Sequence, residues 1–244
     1  MIINKTQKFI FISIPKTAST SIMTVLEPES VHQKPEIYHQ TISELIKEND
    51  NLKNYDLIAV FRCPFSRIVS TYYDAVYDKN HVSLQEVAKY KSFQDFVKDL
   101  PRTKLHEKVR HLWLQKKFID NYEILNLKKK FFYFEDMSEI RRHISTLIKN
   151  GINKKILSIR KIMFKPLPHH RKTSNMRPPL HKIYDIDSVL LVHLIYREDF
   201  ELLPRYKDEL SKLVLKIIIY NFINRIKQKF YLDIRSILNK SNKL

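Results

Sequence analysis

Residues 13–22, "SIPKTASTSI", gather a lysine, a proline and five hydroxyl side chains directly behind the apolar run "KFIFI". Such a composition suits an anion held where a strand gives way to a helix. The first helical N–H groups have no partner inside the helix, and the helix dipole turns its positive end outward. Pro15 sets the turn, Lys16 adds a formal charge, and Thr17, Ser19, Thr20 and Ser21 offer hydroxyl donors. Glycine, on which phosphate loops usually depend, is absent from the stretch, and the whole chain holds only Gly151. A Walker loop, Gly-x-x-x-x-Gly-Lys, wraps a β-phosphate with a longer turn than this one. Taken alone, the segment also reads as an ordinary hydroxyl-capped helix.

A second stretch, "DLIAVFRCPFSRIVSTYYDAV", repeats the design. Arg62 stands at the end of an apolar strand, Pro64 at a position where a helix can start, and Arg67 and Ser70 follow three residues apart, on one helical face. Two strand-to-helix anion sites on one sheet point to a ligand with two separated phosphate-like groups. In open α/β sheets such ligands lie at the carboxyl ends of the strands.

The elements needed to position these residues are legible in the pattern. Strands are expected at 8–14, 56–61 and 130–134, and helices at 17–27, 41–49, 65–78, 92–99, 104–119, 137–149 and 185–198. Alternation of the two types predicts an α/β fold, P-loop-like, with three α/β/α layers around a central parallel sheet. Residues 165–183 hold four of the ten prolines and read as a loop. From Asp208 onward, apolar residues keep a helical period amid lysines and arginines, so the expected organisation is an α/β domain over 1–207 and a basic amphipathic helical extension over 208–244. A net charge of +18 predicts anionic partners. The single cysteine, Cys63, excludes an intrachain disulfide and suits a reducing compartment. Without a secretory signal or an apolar run long enough to cross a bilayer, the expected location is cytoplasmic, with peripheral membrane contact through the C-terminal helix as a second expectation.

These residues resemble a known family. "IPKTASTSI" is similar to the 5′-phosphosulfate loop, and "RCPFSRIVSTY" to the 3′-phosphate motif Arg-x-Pro-x-x-Arg-x-x-Ser-x-Tyr, of carbohydrate sulfotransferases (sulfotransferase family 2) that use 3′-phosphoadenosine 5′-phosphosulfate, PAPS. The wording of the loop looks most like the heparan sulfate and uronyl 2-O-sulfotransferases. The resemblance continues through "YHQTISEL", "SFQDFV", "LWLQ", "FFYFEDM", "LPHHRKTSN" and "VHLIYREDFELLPRY", covering about residues 8–206. It implies transfer of a sulfuryl group from PAPS to a hydroxyl of an anionic or neutral glycan, with no nucleic-acid partner and no metal. Pro15, Lys16, Thr17, Ala18, Ser19, Thr20 and Ser21 would hold the 5′ end, with Lys16 stabilising charge on the bridging oxygen. Arg62 and Ser70 would grip the 3′-phosphate, with Arg67 either a third contact to it or, the preferred reading, fixing the helix through a salt bridge. Arg171, Lys172 and Thr173 would cover the nucleotide as a lid.

A hydroxyl acceptor needs a base, and histidine is the usual choice. His32, His39, His169 and His170 are the candidates. His39, in "YHQT" between the two nucleotide motifs, occupies the place where the family carries its catalytic histidine; Glu135 is the fallback. Uronyl-type relatives have Tyr-His-x-His there, whereas this sequence has Thr41 at the second position. Two competing readings are a P-loop nucleotide kinase or NTPase, which predicts Walker glycines and a magnesium-holding aspartate, and a non-catalytic polyanion-binding protein, which predicts exposed aromatics among the basic residues.

Overall fold

The computed structural model of the chain describes residues 1–27, 38–48, 52, 54–78, 81–151 and 177–241. Among them, four strands form one sheet in the order β1 (Ile2–Asn4), β2 (Phe9–Ile12), β3 (Asp56–Phe61) and β4 (Lys128–Tyr133). β2, β3 and β4 run parallel, in a register that sets Ile12 beside Ala59 and Phe61 beside Tyr133. The central parallel sheet expected from the sequence is therefore present. β1 adds an antiparallel edge that no periodic pattern announced, because three residues are too few to show one.

The apolar runs are near-continuous because both faces of the sheet are covered. Ile10 and Ile12 of β2, with Leu57, Ala59 and Phe61 of β3, enter the larger core cluster; Phe9, Phe11, Ile58 and Val60 enter the smaller one on the other face. Each fully buried Ile or Phe side chain is worth about 1.5–3 kcal/mol, which holds this alternation in register. Helices α1 (Ser19–Leu26) and α5 (Met137–Gly151) cover the smaller cluster. Helices α3 (Pro64–Tyr77), α4 (Phe93–Thr103), α6 (Ile186–Ile195) and the start of α7 (Glu209–Ser241) cover the larger. The remaining long element, α2 (Ile42–Glu48), lies between α1 and β3 in the chain and packs Ile42 and Leu45 into the larger cluster.

Two expected helices are broken, and tertiary contacts account for both. The stretch read as one helix over 104–119 begins with Lys104 in the left-handed region (φ 54°) and is split into short α-helical segments at Leu105–Lys108 and Gln115–Ile119 with a 3-10 turn at Arg110–Leu112 between them. Val109 is extended, which lets Arg110 and His111 reach the carboxyl edge of the sheet. The helix expected over 185–198 stops at Ile195 and restarts at Arg197–Leu202. Across that break the Tyr196 hydroxyl donates to the Leu112 carbonyl at 2.6 Å, and buried Asp199 accepts the Gln115 and Lys116 N–H groups at 3.0 Å each.

Candidate active site

The parallel strands β2, β3 and β4 all end on one edge, so the segments following them meet there. The β2–α1 turn answers the missing-glycine question: Lys16 and Ala18 themselves occupy the left-handed region, with φ of 67° and 64°. A non-glycine residue there costs about 1–2 kcal/mol, and the turn is held against that cost by several bonds. Thr17 is buried and its hydroxyl donates to the Ile14 carbonyl at 2.9 Å. Arg67 donates through Nε to the Pro15 carbonyl at 3.2 Å, and Arg62 donates through Nη1 to the Lys16 carbonyl at 3.0 Å. The two anion motifs are thus tied together by the arginines of the second gripping the backbone of the first.

Neither helix of the site has a side-chain cap. α1 follows Ala18 and α3 follows Cys63, with Pro64 at its first turn, and neither preceding residue caps its helix with a side-chain hydrogen bond. Two of the longer helices elsewhere are capped, Ser92 accepting from the Asp95 N–H and Asp185 from the Ser188 N–H, whereas the short helices at Gln85–Ala88, Leu105–Lys108, Gln115–Ile119, Leu180–Ile183 and Arg197–Leu202 start without a side-chain cap. Thr41 also caps, its Oγ1 accepting the Glu44 N–H at 3.1 Å while the Glu44 carboxylate accepts the Thr41 N–H at 2.8 Å. This reciprocal box explains what the residue in place of a second histidine does. An ordinary hydroxyl-capped helix, the bland reading of residues 13–22, is not what α1 shows.

Arg67 is fully buried, but its bonds differ from the expected salt bridge. Besides Pro15 it donates through Nη2 to the His111 carbonyl at 3.1 Å, and no ion pair to it is formed among the described residues. It fixes the turn through carbonyls, and Nη1 has no partner among the described residues. Burial pulls its pKa down, against the opposing influence of Asp199. Arg62, half-buried over the Phe134 ring at 4.2 Å, is lowered to about 10 by burial and then by nearby Arg177. Arg177 is lowered as well, chiefly by burial. Crowding partly desolvated guanidiniums in this way is unfavourable until an anion joins them.

Lys16 Nζ lies 2.8 Å from Asp74 on α3, a pair with side chains only 12% and 3% exposed. Asp74 escaped notice in the sequence, although it stands on the Arg67/Ser70/Thr71 face, one further turn along. Ser70 is buried on that face, Ser19 is buried at the start of α1, and Thr20 and Ser21 are half-buried.

His39 Nδ1 lies 2.5 Å from the Ser13 carbonyl. A carbonyl only accepts, so Nδ1 carries the proton and Nε2 keeps its lone pair. Arg110 holds the segment from the other side, donating to the His39 carbonyl at 2.9 Å and to both oxygens of Glu44. Burial lowers His39 to about 3, with Arg110 and Arg67 adding to the effect. Its ring meets His111 edge to face at 5.2 Å, and His111 meets His81 at 4.9 Å. His81 Nε2 is 3.9 Å from Asp74, so a row of imidazoles joins the Ser13 carbonyl to the Asp74–Lys16 pair. His111, Arg110, His81 and Arg177 were missed because no periodic or motif signal marks residues recruited from irregular segments.

Glu135, the fallback base, is engaged in two hydrogen bonds. Its carboxylate accepts the Cys63 N–H at 3.4 Å and the Tyr206 hydroxyl, bracing the β3–α3 junction. Of the other expected residues, Arg171, Lys172, Thr173, His32, His169 and His170 lie outside the described residues.

A family model described as the sulfotransferase family matches residues 1–207. The chain belongs to that family. No curated protein and no solved structure matches it. Sulfuryl transfer is therefore the reaction class, and this sulfotransferase carries its motif residues on one edge of a parallel sheet. The kinase or NTPase reading and the non-catalytic reading give way to the family match.

Proposed function

We propose that this sulfotransferase takes PAPS as donor and a saccharide hydroxyl as acceptor. The observation that carries the reading is the pair of helix N-termini without side-chain caps, α1 and α3, at neighbouring ends of parallel strands and joined by Arg62. Each suits one phosphate-like group, and the lowered pKa values of Arg62, Arg67 and Arg177 fit a site completed by polyanionic substrate.

In this reading the turn from Pro15 to Ser21, with Ala18 in its left-handed bend, holds the 5′-phosphosulfate through backbone N–H groups and the hydroxyls of Ser19, Thr20 and Ser21. The Thr17 hydroxyl is spent on the Ile14 carbonyl, so Thr17 contributes its backbone. Arg62 and Ser70 hold the 3′-phosphate. The acceptor oxygen attacks sulfur in line, the bond from sulfur to the bridging phosphate oxygen breaks, and the nucleotide leaves with that electron pair. Lys16 releases Asp74 to neutralise the bridging oxygen, and His39 Nε2 takes the acceptor's proton. The donor's negative charge raises the His39 pKa from its low resting value toward the range a general base needs.

Titration with 3′-phosphoadenosine 5′-phosphate in the absence of magnesium tests the donor. Tight binding that ADP does not match is expected; equal binding of ADP removes the 3′-phosphate site. Incubation with labelled PAPS and a panel of glycans, with mass analysis of products, tests the acceptor. Labelled sulfate appearing only on non-carbohydrate acceptors would sink the saccharide assignment.

A further inference from the structure

Helix α7 is apolar on two opposite sides. Leu213 and Ile217 are buried against the larger core cluster, with Leu210 and Val214 partly buried beside them. On the other side Leu215, Ile218, Ile219, Phe222, Ile223 and Ile226 are 58%, 50%, 48%, 63%, 43% and 52% exposed. At about 100° per residue these six fall within an arc of about 140°, centred opposite the buried pair. A continuous exposed apolar stripe of this kind marks a contact surface. The adjoining helix α6, which packs on α7, also leaves Ile186, Leu190 and Leu194 exposed at four-residue spacing.

Charge selects the occupant. On the same helical projection, Lys216 and Lys227 fall along one flank of the stripe and Arg225 along the other, with Lys229 just inside that second margin at its C-terminal end. Between Glu209, which pairs with Lys212 at 3.1 Å, and Asp233 the helix has no carboxylate. Two copies meeting stripe to stripe would set cations against cations with nothing to answer them. A bilayer with anionic headgroups answers both flanks at once: the apolar stripe enters the acyl boundary while the long basic side chains reach up to the phosphates. No helix among the described residues is long and apolar enough to cross a membrane, so the contact is one of lying on the surface.

We propose that the outward face of α7 docks this sulfotransferase on an anionic membrane surface. The inference is independent of the donor and acceptor assignments. Cosedimentation of the full chain with phosphatidylcholine vesicles, with and without phosphatidylglycerol, tests it. Binding to the anionic vesicles alone, weakening as salt rises, is expected. The double variant Ile219→Ser, Phe222→Ser keeps the net charge and alters only exposed positions, and it should lower vesicle affinity by about tenfold or more. Circular dichroism and the thermal midpoint check that this variant folds; Lys216→Ser with Lys227→Ser, which leaves the apolar stripe intact, should independently weaken binding.

Three results would overturn the proposal. A wild-type chain that ignores anionic vesicles at low salt leaves the face to a protein partner. Unchanged binding by both double variants assigns any attraction to the general positive charge. Lipid-free self-association that the Ile219/Phe222 variant abolishes assigns the face to a second copy.

Discussion

Replacing His39 with asparagine removes one proton-binding group from the unfolded chain, yet leaves a side chain that can still donate to the Ser13 carbonyl. In the folded protein burial holds His39 near 3, against an ordinary histidine value of 6.5. The folded state therefore binds fewer protons than the unfolded one between those values. Because the folded pKa of this base is lowered, its contribution is fully favourable above 6.5 and is lost as pH falls toward 3. Each pH unit in that window costs about 1.4 kcal/mol per group, with a ceiling of about 5 kcal/mol for His39 over the whole interval. His111, pushed well below 6.5 by burial and by its neighbours His39 and His81, adds a second slope of the same sign. His39→Asn should remove one slope and keep the other. Urea denaturation from about pH 8 down to about pH 5 should show the variant gaining about 2 kcal/mol relative to the wild type over the acidic half of that range. A stability difference that does not change with pH would refute the buried neutral imidazole, as would an NMR titration placing His39 near 6.5. Adding 3′-phosphoadenosine 5′-phosphate should raise the same NMR-detected pKa, because the ligand brings negative charge to the site.

Lys16→Ala should depress kcat by about a hundredfold or more while donor affinity changes little, if Lys16 meets charge that develops only as the nucleotide leaves; a normal kcat with weakened donor binding would reduce it to a ground-state clamp. Arg62→Ala should do the opposite, lowering affinity for 3′-phosphoadenosine 5′-phosphate first, and calorimetry showing unchanged affinity would remove Arg62 from the site. Ala18→Gly relieves a left-handed alanine, a gain of about 1–2 kcal/mol, against about 0.4–1 kcal/mol of added unfolded-state entropy. The variant should therefore be as stable as the wild type or up to about 1.6 kcal/mol more so, and a clear loss in denaturant midpoint would contradict the φ of 64°.

Much of the scaffold could be read directly from residue order. The runs "FIFI" and "DLIAVF" are continuous because both faces of the sheet are buried; the second strand ends as expected at Phe61, whereas the strand expected over 8–14 spans only Phe9–Ile12, although Ile14 is also buried. Pro64 marks the start of α3, and Lys16, Arg62, Arg67 and Ser70 announce themselves by their place just after strand ends. Local sequence determined these features because each depends on neighbours within a turn or two along the chain.

Other features depended on groups far apart in sequence. Whether Arg67 meets a carboxylate or two carbonyls was decided by where residues 15 and 111 come to lie. The 104–119 segment carries a helical pattern, but the bonds made by Arg110 and His111 across the sheet edge outweigh its local preference and break it. Asp74 faces Lys16, and His39, His111 and His81 form one row, because three separate segments converge at the strand ends. The apolar period of α7 was visible in sequence, but periodicity cannot show which of two apolar sides the core will take. Packing buried Leu213 and Ile217 and left Phe222 facing outward, since only tertiary structure determines which surface finds a neighbour.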